Sequence, residues 1–363
     1  MNLLRNPKIA KRLSEDIRLS VMGRTRLMEV CGTHTVAIFK SGLRSLLPPE
    51  ITLLSGPGCP VCVTAKADVD RAVKIAGQKD VILTTFGDMM RVPGSGTSLG
   101  EERAKGRDIR VVYSPSECLG LSAENPEKKV VFFATGFETT SPSVSATLIS
   151  AMRLKLENFM VFSVHKLVPP ALRALLSSAE SRIDGFILPG HVSTIIGSRP
   201  YGFLASEFRT PSVISGFEPV DILEAICMLL RQIKAGRPDV EIQYKSAVRP
   251  GGNPKAVSLL NEVFVPSASE WRGIGVIPES GLKLRPEFSA LDAERHFDLS
   301  LPSSSPSDDA SGCLCGEVLR GISIPTDCPL FGSSCTPEYP VGACMVSAEG
   351  SCSAYYNYGG TSG

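Results

Sequence analysis

At 363 residues, 43% hydrophobic and 21% charged, the chain has the composition of a soluble globular protein large enough for two or three domains. Its formal net charge of +1, with no basic run, gives no electrostatic case for nucleic acid or an anionic membrane as a partner. No apolar stretch approaches membrane-spanning length, and the opening MNLLRNPKIAKRLSEDIRLS lacks a signal peptide's apolar core; a cytoplasmic setting is expected, where eleven cysteines read as metal or redox chemistry.

In chain order, the first periodic segment is a helix over 8–22. Next comes Met28-Glu29-Val30-Cys31-Gly32-Thr33-His34, which sets a thiol and an imidazole three residues apart. The run ITLLS (51–55) reads as a strand and leads straight into Gly56-Pro57-Gly58-Cys59-Pro60-Val61-Cys62. Glycines there let the backbone turn sharply, and a C-x-x-C at a strand-to-helix turn faces exposed amides that favour thiolate. Two bland readings stand beside an open ligand site: a Cys3His zinc site from Cys31, His34, Cys59 and Cys62, or a thioredoxin-type dithiol from Cys59 and Cys62.

Further strands are expected at VILTT (81–85), IRVVY (109–113), KVVFFA (129–134), FMVFSV (159–164), DGFILP (184–189) and PSVIS (211–215). They are nearly continuous apolar runs, as in parallel sheets covered on both faces. Helices are expected at 67–77, 141–155, 169–179 and 219–234 between them. The fold class is therefore α/β, with two open parallel-sheet domains and ligand sites at the carboxyl ends of the strands. Gly136-Phe137-Glu138 and Gly216-Phe217-Glu218 each follow a strand, which makes Glu138 and Glu218 cleft candidates, together with Thr33, His165, Lys166 and His191. Each also has an ordinary structural use as a cap, an ion pair or a satisfied buried histidine. No G-x-G-x-x-G follows a strand, so dinucleotide or ATP binding is not expected.

The expected division is 1–120 and 121–235 as α/β domains, 236–300 as a connecting segment packing back on them, and 301–363 as a cysteine-rich tail after a Ser/Pro/Asp linker at 298–312. The tail carries Cys313, Cys315, Cys328, Cys335, Cys344 and Cys352. Taking Cys313, Cys328, Cys335 and Cys352 gives C-x14-C-x6-C-x16-C and leaves Cys315 and Cys344 as a second pair. Four soft thiolates plus two spare thiols suggest an iron–sulfur cluster beside a dithiol, so a small C-terminal iron–sulfur region is expected. Cys118 and Cys227 lie in apolar settings and read as inert core.

The motifs CGTH (31–34), GPGCPVCVT (56–64), GFETT (136–140), HKLVPPAL (165–172), GHVSTIIG (190–197) and GFEPVDIL (216–223), with the C-terminal cysteine array, resemble the HypD family of hydrogenase maturation factors. The resemblance runs from about residue 20 to the end of the chain, and GPGCPVC with the cysteine array is its most specific part. It implies a scaffold on which the Fe(CN)2CO group of [NiFe]-hydrogenases is assembled with a HypC-type chaperone. Cyanide would come from a HypE-type donor, with a HypF-type carbamoyltransferase upstream. By position, Cys31 would hold the iron of Fe(CN)2CO, with Thr33, His34, Cys59 and Cys62 beside it. Cys313, Cys328, Cys335 and Cys352 would hold a [4Fe-4S] cluster, and Cys315 with Cys344 would be its redox pair. Glu138, His191 and Glu218 are second-tier binding residues. The alternative activity is an iron–sulfur thiol–disulfide reductase acting on a protein partner; a zinc-stapled binding module is a third reading.

Overall fold

A computed structural model describes residues 6–301, apart from 179 and 181, and residues 312–359. The expected linker falls largely at 302–311, outside the described residues. Two parallel sheets make the core. One has the order β2-β1-β7-β8-β9 and the other β4-β3-β5-β6. The first is built from β1 (Thr25–Glu29), β2 (Ile51–Ser55), β7 (Gly185–Pro189), β8 (Ser212–Ser215) and β9 (Val240–Ile242). The second holds β3 (Val81–Thr85), β4 (Ile109–Val111), β5 (Lys129–Ala134) and β6 (Phe159–Ser163). The α/β class and both parallel sheets agree with the sequence reading.

The domain boundary does not. The chain lays down β1 and β2, crosses over to build the entire second sheet, then returns to complete the first. A cut near residue 120 would separate β3 and β4 from β5, although β3 pairs with both β4 and β5. The apolar runs identify strands but carry no record of which sheet each one joins. Two further strands, β10 (Phe264–Trp271) and β11 (Gly275–Leu284), form an antiparallel hairpin inside the segment expected to be a connector. Leu282, Leu284 and Phe264 pack with Val130, Phe132 and Val161 of the second sheet, so this segment covers one of its faces.

Packing explains the layers. The helices Pro7–Ser20 and Pro219–Ala235 share one apolar cluster with Leu27, Ile187 and Val213, covering one face of the first sheet. The opposite face joins a second cluster that also contains Phe137, Trp271, Cys62, Cys315 and Cys344. Sulfur from the C-terminal segment is thus part of the core. Cys118 is buried in the cluster the hairpin covers, within 3.2 Å of the Thr84 hydroxyl, and Cys227 in the cluster the two helices cover. Among the described residues no helix is long and apolar enough to cross a membrane.

Candidate functional site

Parallel register brings the loops together. Glu29 of β1 stands opposite both Ser55 of β2 and Ile187 of β7, so β1 and β2 end level, β7 runs two residues further, and their loops emerge at the same end of the sheet. The amide of Gly56 donates to the Glu29 carbonyl (2.8 Å), and that of Gly32 to the Gly58 carbonyl (3.2 Å). A Cβ on Gly58 would sit 2.2 Å from the Cys31 nitrogen, so only glycine allows this approach. The Cys31 loop and the Cys59–Cys62 turn are therefore in direct contact.

Cys31 is the N-cap residue of the helix Gly32–Lys40, and its carbonyl accepts from the His34 (2.8 Å) and Thr35 (3.2 Å) amides. Burial, above all, pushes its thiol up to about 12. Glu29 accepts from the Cys31 amide (3.1 Å) and from the Thr35 hydroxyl, and burial raises its carboxyl to about 7. His34 donates from Nε2 to the Gly216 carbonyl (2.9 Å), while its Nδ1 is buried without a hydrogen-bond partner. Burial lowers this imidazole to about 4, so it is neutral and its Nδ1 is a bare acceptor. His34 and His191 both stack on Phe217, with centroids 4.7 and 4.0 Å away. Thr33 donates to Glu349 (2.8 Å), which ties the loop to the C-terminal segment.

From this loop a file of thiols runs inward. Cys59 caps the turn Pro60–Val63, its Sγ accepting from the Cys62 amide (3.4 Å). The Cys62 thiol lies in hydrogen-bond reach of Cys59 and Cys344. Cys344 in turn reaches Cys315, and Cys315 reaches Cys352. Cys313, Cys315, Cys328, Cys335 and Cys352 all line one small cavity with Phe331 and Met345. Gly342 closes its wall, where a Cβ would lie 2.8 Å from the Cys313 sulfur. The Val341 amide donates to the Cys335 sulfur (3.3 Å). All eleven cysteines are free thiols.

Among the described residues, no three His, Cys, Asp or Glu side chains converge closely enough to hold a bare metal ion. One zinc, with Zn–S near 2.3 Å, would draw its sulfurs to within about 4 Å of each other. The Cys3His arrangement of Cys31, His34, Cys59 and Cys62 is not assembled, since His34 is turned to Gly216. Four thiolates spread around a shared cavity are the donor set that a multi-iron cluster takes.

The second-tier candidates separate. Glu138 is buried, with Oε1 accepting from the Val168 amide (2.9 Å) and Oε2 unpartnered. His191 is exposed beside Phe217. Glu218 is the N-cap residue of the helix Pro219–Ala235, its amide donating to Asp221 (3.2 Å), which is the structural alternative. His165 hydrogen-bonds Ser163 (3.0 Å), and Lys166 is fully buried against Asp68 (3.3 Å) and Ser269 (2.6 Å); both join the hairpin to the second sheet. Glu29, Phe217 and Glu349 went unmarked in the sequence. Glu29 ends a strand two residues before Cys31, a placement that signals it; Glu349 carries no local signal. Arg272 was missed as well. Its guanidinium donates to the Thr64 (2.9 Å) and Pro93 (2.8 Å) carbonyls and feels the charge of Cys315, Cys344 and Cys62.

Together these features make a two-sheet α/β protein whose sheet-borne thiol loop stands at the head of a file of thiols that ends in a cysteine-lined cavity. Residues 8–359 match the family model described as HypD: Hydrogenase formation hypA family, and the chain belongs to that family of hydrogenase maturation factors. It is 47% identical to Hydrogenase maturation factor HypD2 of Bradyrhizobium diazoefficiens, covering 98% of this chain and 95% of that protein. Identity to Hydrogenase maturation factor HypD of Escherichia coli is 48%, over 92% of this chain and 89% of the relative. A putative hydrogenase expression/formation protein of Methanocaldococcus jannaschii is 44% identical over 92% of each.

Proposed function

We propose that the protein is the scaffold and redox factor on which the Fe(CN)2CO unit is assembled for [NiFe]-hydrogenase. Cys31 holds the iron cargo, shared with a HypC-type chaperone, and cyanide arrives from a HypE-type donor. The observation that supports this most is the unbroken file Cys59–Cys62–Cys344–Cys315, leading from the loop against Cys31 to a cavity lined by five thiols. Low-spin iron bearing cyanide and carbonyl is soft and suits a thiolate. Burial at Cys31 disfavours free thiolate, so the thiol gives up its proton when a cation takes its place.

Releasing cyanide from a thiocyanate consumes two electrons and one proton and leaves a thiol on the donor. Oxidation of two thiols to a disulfide supplies two electrons and two protons, which balances that step with one proton left over. Cys59 and Cys62 are placed to give those electrons, and Cys344 and Cys315 to restore them by exchange. Cys313, Cys328, Cys335 and Cys352 would hold a [4Fe-4S] cluster, which when bound supplies single electrons. Burial holds the Cys62 thiol well above its ordinary range, contrary to the thiolate-favouring turn expected of the motif, and Arg272, held by two carbonyls beside this file, is the cation placed to oppose that.

The test is protein purified without oxygen alongside its chaperone, with iron and sulfide assayed and the infrared spectrum recorded. Cyanide and carbonyl bands are expected; they should vanish in Cys31→Ala and fall at least tenfold in the Cys315→Ser, Cys344→Ser double variant while iron and sulfide persist. Undiminished bands in the double variant would refute the relay. Iron and sulfide without such bands in the unaltered protein would leave the thiol–disulfide reductase.

A further inference from the structure

Two buried polar groups lie between the sheets without partners. Glu138 follows β5 of the four-stranded sheet, and its Oε2 meets no donor or acceptor. Tyr201, in the turn Arg199–Tyr201 after β7 of the five-stranded sheet, is wholly buried, and its hydroxyl is likewise unpaired. Ser193 stands beside that hydroxyl and gives its own proton to the Pro189 carbonyl (2.7 Å), but it is not aligned for a hydrogen bond with Tyr201. Tyr201 packs in one cluster with Val30, Cys59 and Phe137, the residues flanking Cys31, the thiol turn and Glu138.

These groups sense one another. Charge on Glu138 and charge on Cys31 each make it harder to ionise Tyr201, on top of its burial. Burial also raises the Glu138 carboxyl to about 7, which keeps much of it protonated near neutrality. Both groups therefore offer O–H donors. An orphaned buried polar group costs about 1–3 kcal/mol, and two within electrostatic reach of each other, one of them within reach of Cys31 as well, point to a missing acceptor. His34 cannot supply a donor there, because its one N–H is committed to Gly216.

We propose that Tyr201 and Glu138 donate hydrogen bonds to the nitrogen end of cyanide on the iron held at Cys31. This rests on the reading of Cys31 as the iron thiolate. Cyanide nitrogen is a small, negatively polarised acceptor that projects away from the metal, whereas carbonyl oxygen accepts weakly. Donors at this place would select cyanide over carbonyl for the positions they face, making Tyr201 and Glu138 positioning residues for the assembly.

The experiment is infrared spectroscopy of the anaerobically purified complex with Tyr201→Phe, Glu138→Leu and Glu138→Gln. Tyr201→Phe and Glu138→Leu are expected to keep the bands but shift a cyanide stretch to lower wavenumber, with the carbonyl stretch moving less. Glu138→Gln keeps a donor and should stay near the unaltered spectrum. Metal-free Tyr201→Phe should melt no lower than the unaltered protein, because the hydroxyl it removes bonds to nothing in the chain. Cyanide bands that stay put in both donor-deleting variants overturn the proposal while leaving Cys31 as the iron site. Absence of all such bands from the unaltered complex overturns both. A marked loss of melting temperature in metal-free Tyr201→Phe would show that the hydroxyl serves the fold instead.

Discussion

The two sulfur-bearing regions are built in opposite ways. The loops of Cys31 and of Cys59–Cys62 are carried on adjacent parallel strands whose ladder and register fix them, with Gly58 seated against Cys31. Among the described residues the C-terminal region has only short helical pieces, Cys315–Leu319, Pro325–Asp327, Ala343–Val346 and Ser351–Tyr358, around a cavity lined by cysteines. Backbone hydrogen bonds hold the first region in place with or without metal. The second has little of its own besides sulfur and the contacts it makes with the first.

On the proposed reading of the cavity as a cluster site, removing the metal should therefore divide the molecule. Cys328→Ala, or chelation of iron, is expected to remove about 3 kcal/mol or more of local stability from 312–359, the coupling of a ligand present at a hundred times its Kd. Hydrogen exchange would show 313–358 losing protection by two orders of magnitude while β1, β2 and β7 keep theirs. Equal loss in both regions would dissolve the contrast. A comparable effect confined to the sheets is expected of Lys166→Met, which leaves Asp68 with only its partly exposed partner Arg71 (2.9 Å). Breaking a buried pair typically costs 3–5 kcal/mol, and Arg71 keeps this one to about 3. Its denaturant midpoint should drop with no change in iron or sulfide content. Gly58→Ala should cost about 1–3 kcal/mol through overpacking against Cys31, seen as a lower melting temperature with the cavity intact.

The same contrast decides what the sequence made legible. Every expected strand from ITLLS to PSVIS is present, because a buried parallel strand must be apolar almost throughout. The short β1, TRLME with its buried glutamate, breaks that pattern and was not among the apolar runs read as strands, although it leads into Cys31. Sheet membership was out of reach, since the crossover after β2 is a long-range fact. Between buried Phe264 and Trp271 the hairpin strand alternates half-buried and exposed positions, a half-covered surface obscured by Pro266 and its polar serines. At the site, the motifs brought Cys31, His34, Cys59 and Cys62 to light. They could not show that His34 spends its proton on Gly216, or that Glu349 reaches back to Thr33, because both partners lie far along the chain. The cysteine spacing grouped the tail thiols, but only packing reveals that Cys344 bridges to Cys62.

The finest test uses pH, because four buried groups around the sheets pull in opposite directions. Burial lowers His34 to about 4 and His165 to about 3, against 6.5 in the unfolded chain. Below pH 6.5 the unfolded state takes up protons these residues refuse when folded, so each drains stability as the pH falls, by about 1.4 kcal/mol per unit. Burial raises Glu29 and Glu138 to about 7, against 4.5 unfolded. Between pH 7 and 4.5 the folded state binds those protons and the unfolded state does not, so each adds stability on acidification at the same rate. From 6.5 to 4.5 the two pairs nearly cancel, and the unaltered protein should show a flat contribution from them. His165→Gln removes one draining group, so its denaturant midpoints should rise relative to the unaltered protein as the pH drops across that window. Glu138→Gln removes one contributing group, so its midpoints should fall. Both changes belong to the sheet side, and the described C-terminal region has no histidine to answer them. Slopes of the same sign in the two variants would mean that these side chains meet water, and that the sheet-borne region is looser than its ladders imply.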